Sequence, residues 1–216
     1  MPRRPPRPYH HGDLPRAICE AALALITEVG PDGFTLREVA RRIGVSHAAP
    51  YRHFADKRAL MNALAAAGSR RLGEVIEEAL GTAGNDVRAR FLAASHAYVR
   101  FAVDHSAYFK VLYLSSEVDT NDPDVVAARE RTFGILLRFI VEAQAAGLFG
   151  PGEPMEIAMA IWSMNHGLAS LASLGAFVPT GPDLRAVSDA AHARLIDGLA
   201  PHPPPRTKKK TKKQRT

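Results

Sequence analysis

At 216 residues and 46% hydrophobic, the chain has material for one small domain and one larger one, and its single cysteine, Cys19, excludes an intramolecular disulfide. The net charge of +6 is unevenly spread: residues 1–70 carry 11 Lys/Arg against 6 Asp/Glu, residues 71–205 carry 10 against 16, and residues 206–216 carry 7 against none. Basic ends can meet phosphates and an acidic middle is repelled by them, although charge alone does not separate DNA from RNA or an anionic membrane.

Residues 1–12 are rich in Pro and Arg and read as a flexible basic arm. No apolar run follows these arginines, so no secretory signal is expected. From Asp13 a helical period begins, with Ile18, Ala22, Leu25, Ile26 and Val29 on one face, and Gly30-Pro31-Asp32-Gly33 ends it. Thr35 and Glu38 have the spacing of a capping box for a second, short helix, which Gly44 stops. Ser46 is a fresh cap for a third short helix running to about Phe54. Asp56 caps a long fourth helix carrying Leu60, Leu64, Leu72, Val75, Ile76 and Leu80.

Beyond residues 81–84 (GTAG) the pattern stays helical, with Phe91, Ala94, Tyr98, Phe101 and His105 at three- and four-residue spacing. A short helix over 108–114 follows, then one opened by Asp122-Pro123 and ended by Gly147. Glu153-Pro154 opens the next, to about Phe177, and Pro182-Asp183 the last, to about Leu199. The apolar stretch 157–178 carries Ser163, Asn165, His166 and Ser170, which suits a buried helix and not a membrane span. The tail 201–216 has four prolines, then six basic residues in the eight positions 208–215, and is expected to be disordered. The fold is therefore expected to be all-α, with about nine helices.

Two short helices around a glycine turn, backed by a long one, make a helix-turn-helix candidate. Val39, Ala40 and Ile43 are expected to pack inward with Val45, Ala49 and Phe54, presenting the third helix to a major groove. Arg37, Arg41, Arg42, Arg52, His53, Lys57 and Arg58 supply donors for phosphates and base edges. A plain buried three-helix bundle explains the apolar spacing but not the basic residues, Tyr51 and two histidines crowded onto one short segment. Pro50 is awkward there: it lacks the amide of a first intrahelical bond and disfavours the helical region for Ala49.

Residues 34–60 (FTLREVARRIGVSHAAPYRHFADKRAL) closely resemble the DNA-binding signature of the tetracycline-repressor family, in the cap, the V-A-x-x-x-G-V-S turn, the Y-x-H-F core and the lysine that follows. Trp162, His166 and Gly167, and the opening Tyr9 to Leu14, are similar to the family class whose C-terminal domain is named for Trp, His and Gly. The resemblance implies an N-terminal three-helix DNA-binding domain over 13–56, joined by the long helix to a ligand-binding and dimerisation domain over 57–200. It also implies phosphate contacts from Thr35, Ser46, Tyr51, His53 and Lys57. Arg37 and His47 become the base readers, Ala48 and Ala49 meet thymine methyls, and Arg52 suits either role.

An aromatic and sulfur-rich set, with Tyr98, Phe101, Tyr113, Phe133, Trp162 and His166 foremost, is assigned to a pocket for an apolar or amphipathic effector. Core filling alone would use most of these residues. Residues 157–171 and 184–195 are apolar enough to build a four-helix homodimer interface. The expected protein is a cytoplasmic repressor released from a palindromic double-stranded DNA operator by a small molecule. The rival is a sequence-indifferent DNA-coating or architectural protein driven by the two basic ends. No catalytic signature is present, and no cofactor or metal is expected: adjacent His10 and His11 make a poor site, and the acidic run 117–122 lacks the glycine and distal glutamate of a calcium loop.

Overall fold

Asp13 and Pro15 start the first helix, α1 (Leu14–Val29), and Gly30 ends it at φ 83°. Ile18, Ala21, Ala22 and Ile26 are its buried residues, whereas Val29, placed on that face by its spacing, is 54% exposed where the helix runs out. The fold is that of a computed structural model, which describes residues 13–176 and 183–201. The N-terminal arm with His10 and His11, the end of the 157–178 stretch and the basic tail beyond Pro201 lie outside the described residues.

Helix α2 (Leu36–Ile43) is opened by the predicted capping box: the Glu38 amide donates to Thr35 Oγ1 at 3.3 Å and the Thr35 amide to Glu38 Oε2 at 2.8 Å. Gly44 ends it at φ 74°, a conformation a side chain would resist, and the turn lets the Val45 amide reach Ala40 O at 3.1 Å.

The third element departs from the expected α-helix. Residues 50–52 form a single 3-10 turn (Pro50–Arg52), with Ala49 N donating to Ser46 O at 2.9 Å and Arg52 N to Ala49 O at 3.2 Å. Proline is the cause, because residue 50 has no amide to donate to the Ser46 carbonyl and the i→i−4 ladder cannot start there. The expectation for Ala49 is also corrected: at φ −62°, ψ −44° it is helical despite the proline after it. The Pro50 ring is buried, and this anchoring offsets the local preference.

Asp56 caps α3 (Lys57–Thr82) by accepting from the Ala59 amide at 2.8 Å. At 26 residues α3 runs about 39 Å. It is the spine of the molecule, packing against α4 (Val87–Asp104), α5 (Ser106–Leu114) and α6 (Pro123–Ala145). Gly68 permits the α3–α5 crossing, since a Cβ built there would lie 2.9 Å from the Tyr108 ring. Helices α7 (Pro154–Ser173) and α8 (Leu184–Leu199) complete the chain, so the described residues hold eight α-helices, one 3-10 turn and no strand.

Two apolar clusters hold these helices together. The first joins Ile18, Ile26, Leu36 and Val39 to Leu60 and Leu64 of α3 and to Phe101, Phe109 and Val111. The second gathers Phe91, Phe139, Ile140, Phe149, Ile157, Ile161 and Ile196. The small N-terminal helices therefore share one core with α4 and α5.

Candidate nucleic-acid interface and cavity

At the N-terminal end, Thr35, Arg37, Ser46, His47, Ala48, Arg52 and His53 are exposed, Ala49 is half-buried, and Tyr51 is 49% exposed. Phe54, by contrast, packs on the core beside Ile43. Tyr51 and Phe54, alike in sequence terms, are thus divided into surface and interior. Thr35 Oγ1 is held 3.0 Å from Glu38 Oε2 in the cap. Arg42 is committed to Glu28 through a two-pronged ion pair that lowers the pKa of Glu28, chiefly through their hydrogen bond. That leaves Arg37, Arg41, Arg52 and Arg58 as the outward guanidinium groups of this end.

Lys57 is not among the outward groups. Its ammonium donates to Asp32 O at 3.1 Å, lies 4.7 Å from the centroid of Phe34 and 3.9 Å from Glu117, and its side chain is only 18% exposed. Reaching a phosphate would mean giving up these partners. Its spacing in the sequence carried no sign of this, because Glu117 lies sixty residues further along the chain.

Lys57 belongs to a clasp between the N-terminal helices and the α5–α6 loop. Ser115 Oγ and Ser116 Oγ donate to the two carboxylate oxygens of Asp32 at 3.4 and 3.3 Å. The buried Asn62 receives the Asp119 amide at 2.9 Å and donates to Asp122 Oδ2 at 2.9 Å. Lys110 of α5 donates to Thr27 O at 3.4 Å. The residues that follow α5 are therefore bonded to the loop between α1 and α2, and α5 itself to the end of α1.

Between the two apolar clusters lies a cavity of about 600 Å³, within the range typical of small-molecule sites. Of the six aromatic and histidine residues expected around it, Tyr98, Tyr113, Phe133 and Trp162 line it. Phe101 does not: it is 1% exposed in the first cluster, its ring 5.0 Å from that of His105. The helical period places Phe101 three residues from Tyr98, and that small rotation turns it from the void into the core. His166 stands behind the wall, stacked on Trp162 at 5.2 Å, with Nδ1 3.2 Å from the Tyr98 hydroxyl.

The hydroxyls of Tyr98 and Tyr113 lie 3.2 Å apart, and burial pushes both phenols above their ordinary pKa, that of Tyr98 strongly, so they stay protonated. Burial also lowers the pKa of His166. Asn165 lines the cavity on one side and meets the fully buried His192 of α8 on the other, its side-chain oxygen 2.6 Å from Nε2. Ser188 O lies 2.7 Å from His192 Nδ1, and desolvation dominates in lowering that ring's pKa. A neutral His192 can donate from Nε2 to Asn165 Oδ1 and accept at Nδ1 from the Ser188 hydroxyl, 3.1 Å away. No group of metal-ligating side chains occurs among the described residues.

Residues 18–64 match the family model described as bacterial regulatory proteins of the tetR family, and residues 91–196 match the tetracyclin repressor-like C-terminal domain. The chain belongs to the tetracycline-repressor family. It is 53% identical over 53 residues to the class A tetracycline repressor from transposon 1721 of Escherichia coli, a stretch covering 24% of this chain and 24% of that repressor. The chain thus spans about a quarter of the length of the curated tetracycline repressors it matches. A Rhodococcus sp. RHA1 protein of unknown function is 39% identical with a TM-score of 0.79, covering 90% of this chain and all of that one. A tetR-family regulatory protein from Rhodococcus RHA1 is 21% identical, with a TM-score of 0.69 over 89% of this chain and all of that one, and shares the fold.

Met159 lines the cavity as its place in the sulfur-rich set suggested, whereas Arg129 and Asn165 escaped sequence reasoning. Arg129 left a signal: it stands four residues before Phe133 and seven before Leu136, a charge inside an apolar helical stripe. His192 left none, because a histidine among alanines in α8 reads as a surface residue.

Proposed function

We propose that the protein is a homodimeric, sequence-specific DNA-binding repressor released from a palindromic operator when a small molecule fills the cavity. The reading rests above all on one observation: the cavity wall and the exposed basic end are joined through α5, whose Leu112 and Tyr113 line the cavity and whose following residues hold Asp32. A ligand that binds better when α5 is displaced lowers operator affinity by the same factor that DNA lowers ligand affinity.

In this reading residues 13–56 are the DNA-binding domain and 57–200 the ligand-binding and dimerisation domain. Arg37 and His47 read bases, Ala48 and Ala49 meet thymine methyls, and Thr35, Ser46, Tyr51, Arg52 and His53 position the phosphates. Lys57 acts from inside, fixing the loop that carries Thr35. The dimer forms through α7 and α8; Met155 and Leu171 of α7 stand 51% and 48% exposed, and Leu174 just beyond its end 79%. No described helix is long and apolar enough to cross a membrane, which fits a cytoplasmic site of action.

The test is competition. A labelled duplex recovered from the protein's own bound sites should stay bound against a large excess of random duplex, and light scattering should give a dimer at micromolar concentration. Loss of the labelled duplex to random DNA would favour the sequence-indifferent rival, and a monomer would remove the two-fold operator.

A further inference from the structure

The polar inventory of the cavity is lopsided. Its walls are largely apolar, and its one cationic side chain, Arg129 on α6, is half-buried. Arg129 Nη2 donates to Leu112 O at 3.4 Å, and no described carboxylate lies within 4.0 Å of the guanidinium. Two other arginines of the same helical bundle do have carboxylate partners. Arg90, near the other end of the cavity, is paired with Glu142 over the Phe139 ring, and Arg138 with Glu77. Glu130 borders the cavity too, but it is exposed and makes no ion pair with its neighbour.

A guanidinium has five donors, and among the described residues only Nη2 of Arg129 donates to the protein. Half-burial without a counter-charge is costly, and a bidentate carboxylate is the group that relieves it best. The neighbouring Tyr113 phenol remains protonated and can donate alongside. Thr132 cannot, because its hydroxyl is given to Ser69 O and Ala128 O at 2.8 and 3.0 Å. From Arg129 the same face of α6 continues through Phe133 and Leu136 to Phe139, about 15 Å of apolar wall.

We propose that the cavity takes an amphipathic carboxylate, its head group on Arg129 and its apolar body along Phe133, Leu136 and Phe139. This rests on the reading of the cavity as an effector site and names the chemistry of that effector. A neutral alcohol of equal length gains the apolar wall but not the ion pair, and a quaternary ammonium meets a like charge.

Trp162 is the only tryptophan and lines the cavity, so its fluorescence reports occupancy in the full chain. Dodecanoate, 1-dodecanol and dodecyltrimethylammonium, each below its micellar concentration, serve as probes. Dodecanoate should bind at least about tenfold more tightly than dodecanol, and the ammonium should bind most weakly. Arg129→Gln should bring dodecanoate down to the dodecanol level while leaving dodecanol within about twofold, and Arg129→Lys should keep part of the preference. Equal binding of acid and alcohol, an unchanged preference in Arg129→Gln, or no response to any probe overturns the proposal. The titration contains no DNA, so failure of the regulator reading would appear in operator release and leave this result intact.

Discussion

The basic end and the cavity are built in opposite ways. Residues 34–60 are contiguous, and their roles follow from local devices: a capping box, a left-handed glycine, a proline that halts a helix, and side chains that face water because the core lies behind them. The cavity is assembled from α3, α4, α5, α6 and α7, and residues one helical step apart separate into wall and core. Apart from Lys57 and the buried Pro50, the basic end is thus set by short-range rules, whereas a void is set by what five helices fail to fill.

Phe101 and Phe133 give the sharpest contrast. Phe101→Ala leaves a hole in a filled core and should cost about 3–5 kcal/mol. Phe133→Ala enlarges an existing void and should cost markedly less. Urea denaturation of the two variants would show it, and equal losses would mean that the cavity is closed in solution.

The crossing of α3 and α5 is the next place to break. Gly68→Ala drives a methyl into Tyr108, which must shift, for an expected loss of roughly 1–3 kcal/mol. Because α5 carries the clasp on Asp32, the same variant should weaken DNA binding more than its loss of stability explains. Unaltered DNA affinity in the folded fraction would disconnect α5 from the basic end.

Within the basic end, Arg37→Ala and His47→Ala should each lose on the order of 1–3 kcal/mol at particular base pairs. Lys57→Ala should weaken all sequences alike with an unchanged salt slope, since its ammonium is held by Asp32, Phe34 and Glu117. A fall of about 0.9 in that slope would show instead that Lys57 leaves these partners for a phosphate.

The smallest expected effect is acid sensitivity. His166 and His192 have pKa values lowered by burial from the ordinary 6.5. Below that value the unfolded chain binds protons that the folded chain refuses, so stability present above pH 6.5 falls as the pH drops through it, until the lowered folded values are reached. The urea midpoint should fall between pH 7.5 and 5.5, less steeply in His192→Gln. A midpoint that rises on acidification would mean that Ser188, Asn165 and Asp189 stabilise an imidazolium.

Much of the helical frame was legible in the sequence because each end is written locally: Thr35 with Glu38, Asp56, Asp122-Pro123 and Glu153-Pro154 open helices where the period begins. The third element was legible as a position but not as a form, since the weight of Pro50 depends on a ring buried by tertiary packing. Of the cavity, Tyr98, Tyr113, Phe133 and Trp162 were legible by type, whereas Phe101 was misplaced and Arg129 overlooked. Aromatic rings signal burial without saying against what. The inward turn of Lys57 depends on Glu117 and Asp32, which no spacing within the motif reveals.

Sequence-specific recognition by a two-fold protein is the central claim, and selection of the full chain against a random duplex pool tests it most directly. Enrichment should yield two inverted half-sites with centres about one helical turn, or a multiple of it, apart. A pool retained without sequence enrichment, its affinity set by duplex length and salt alone, would contradict that claim.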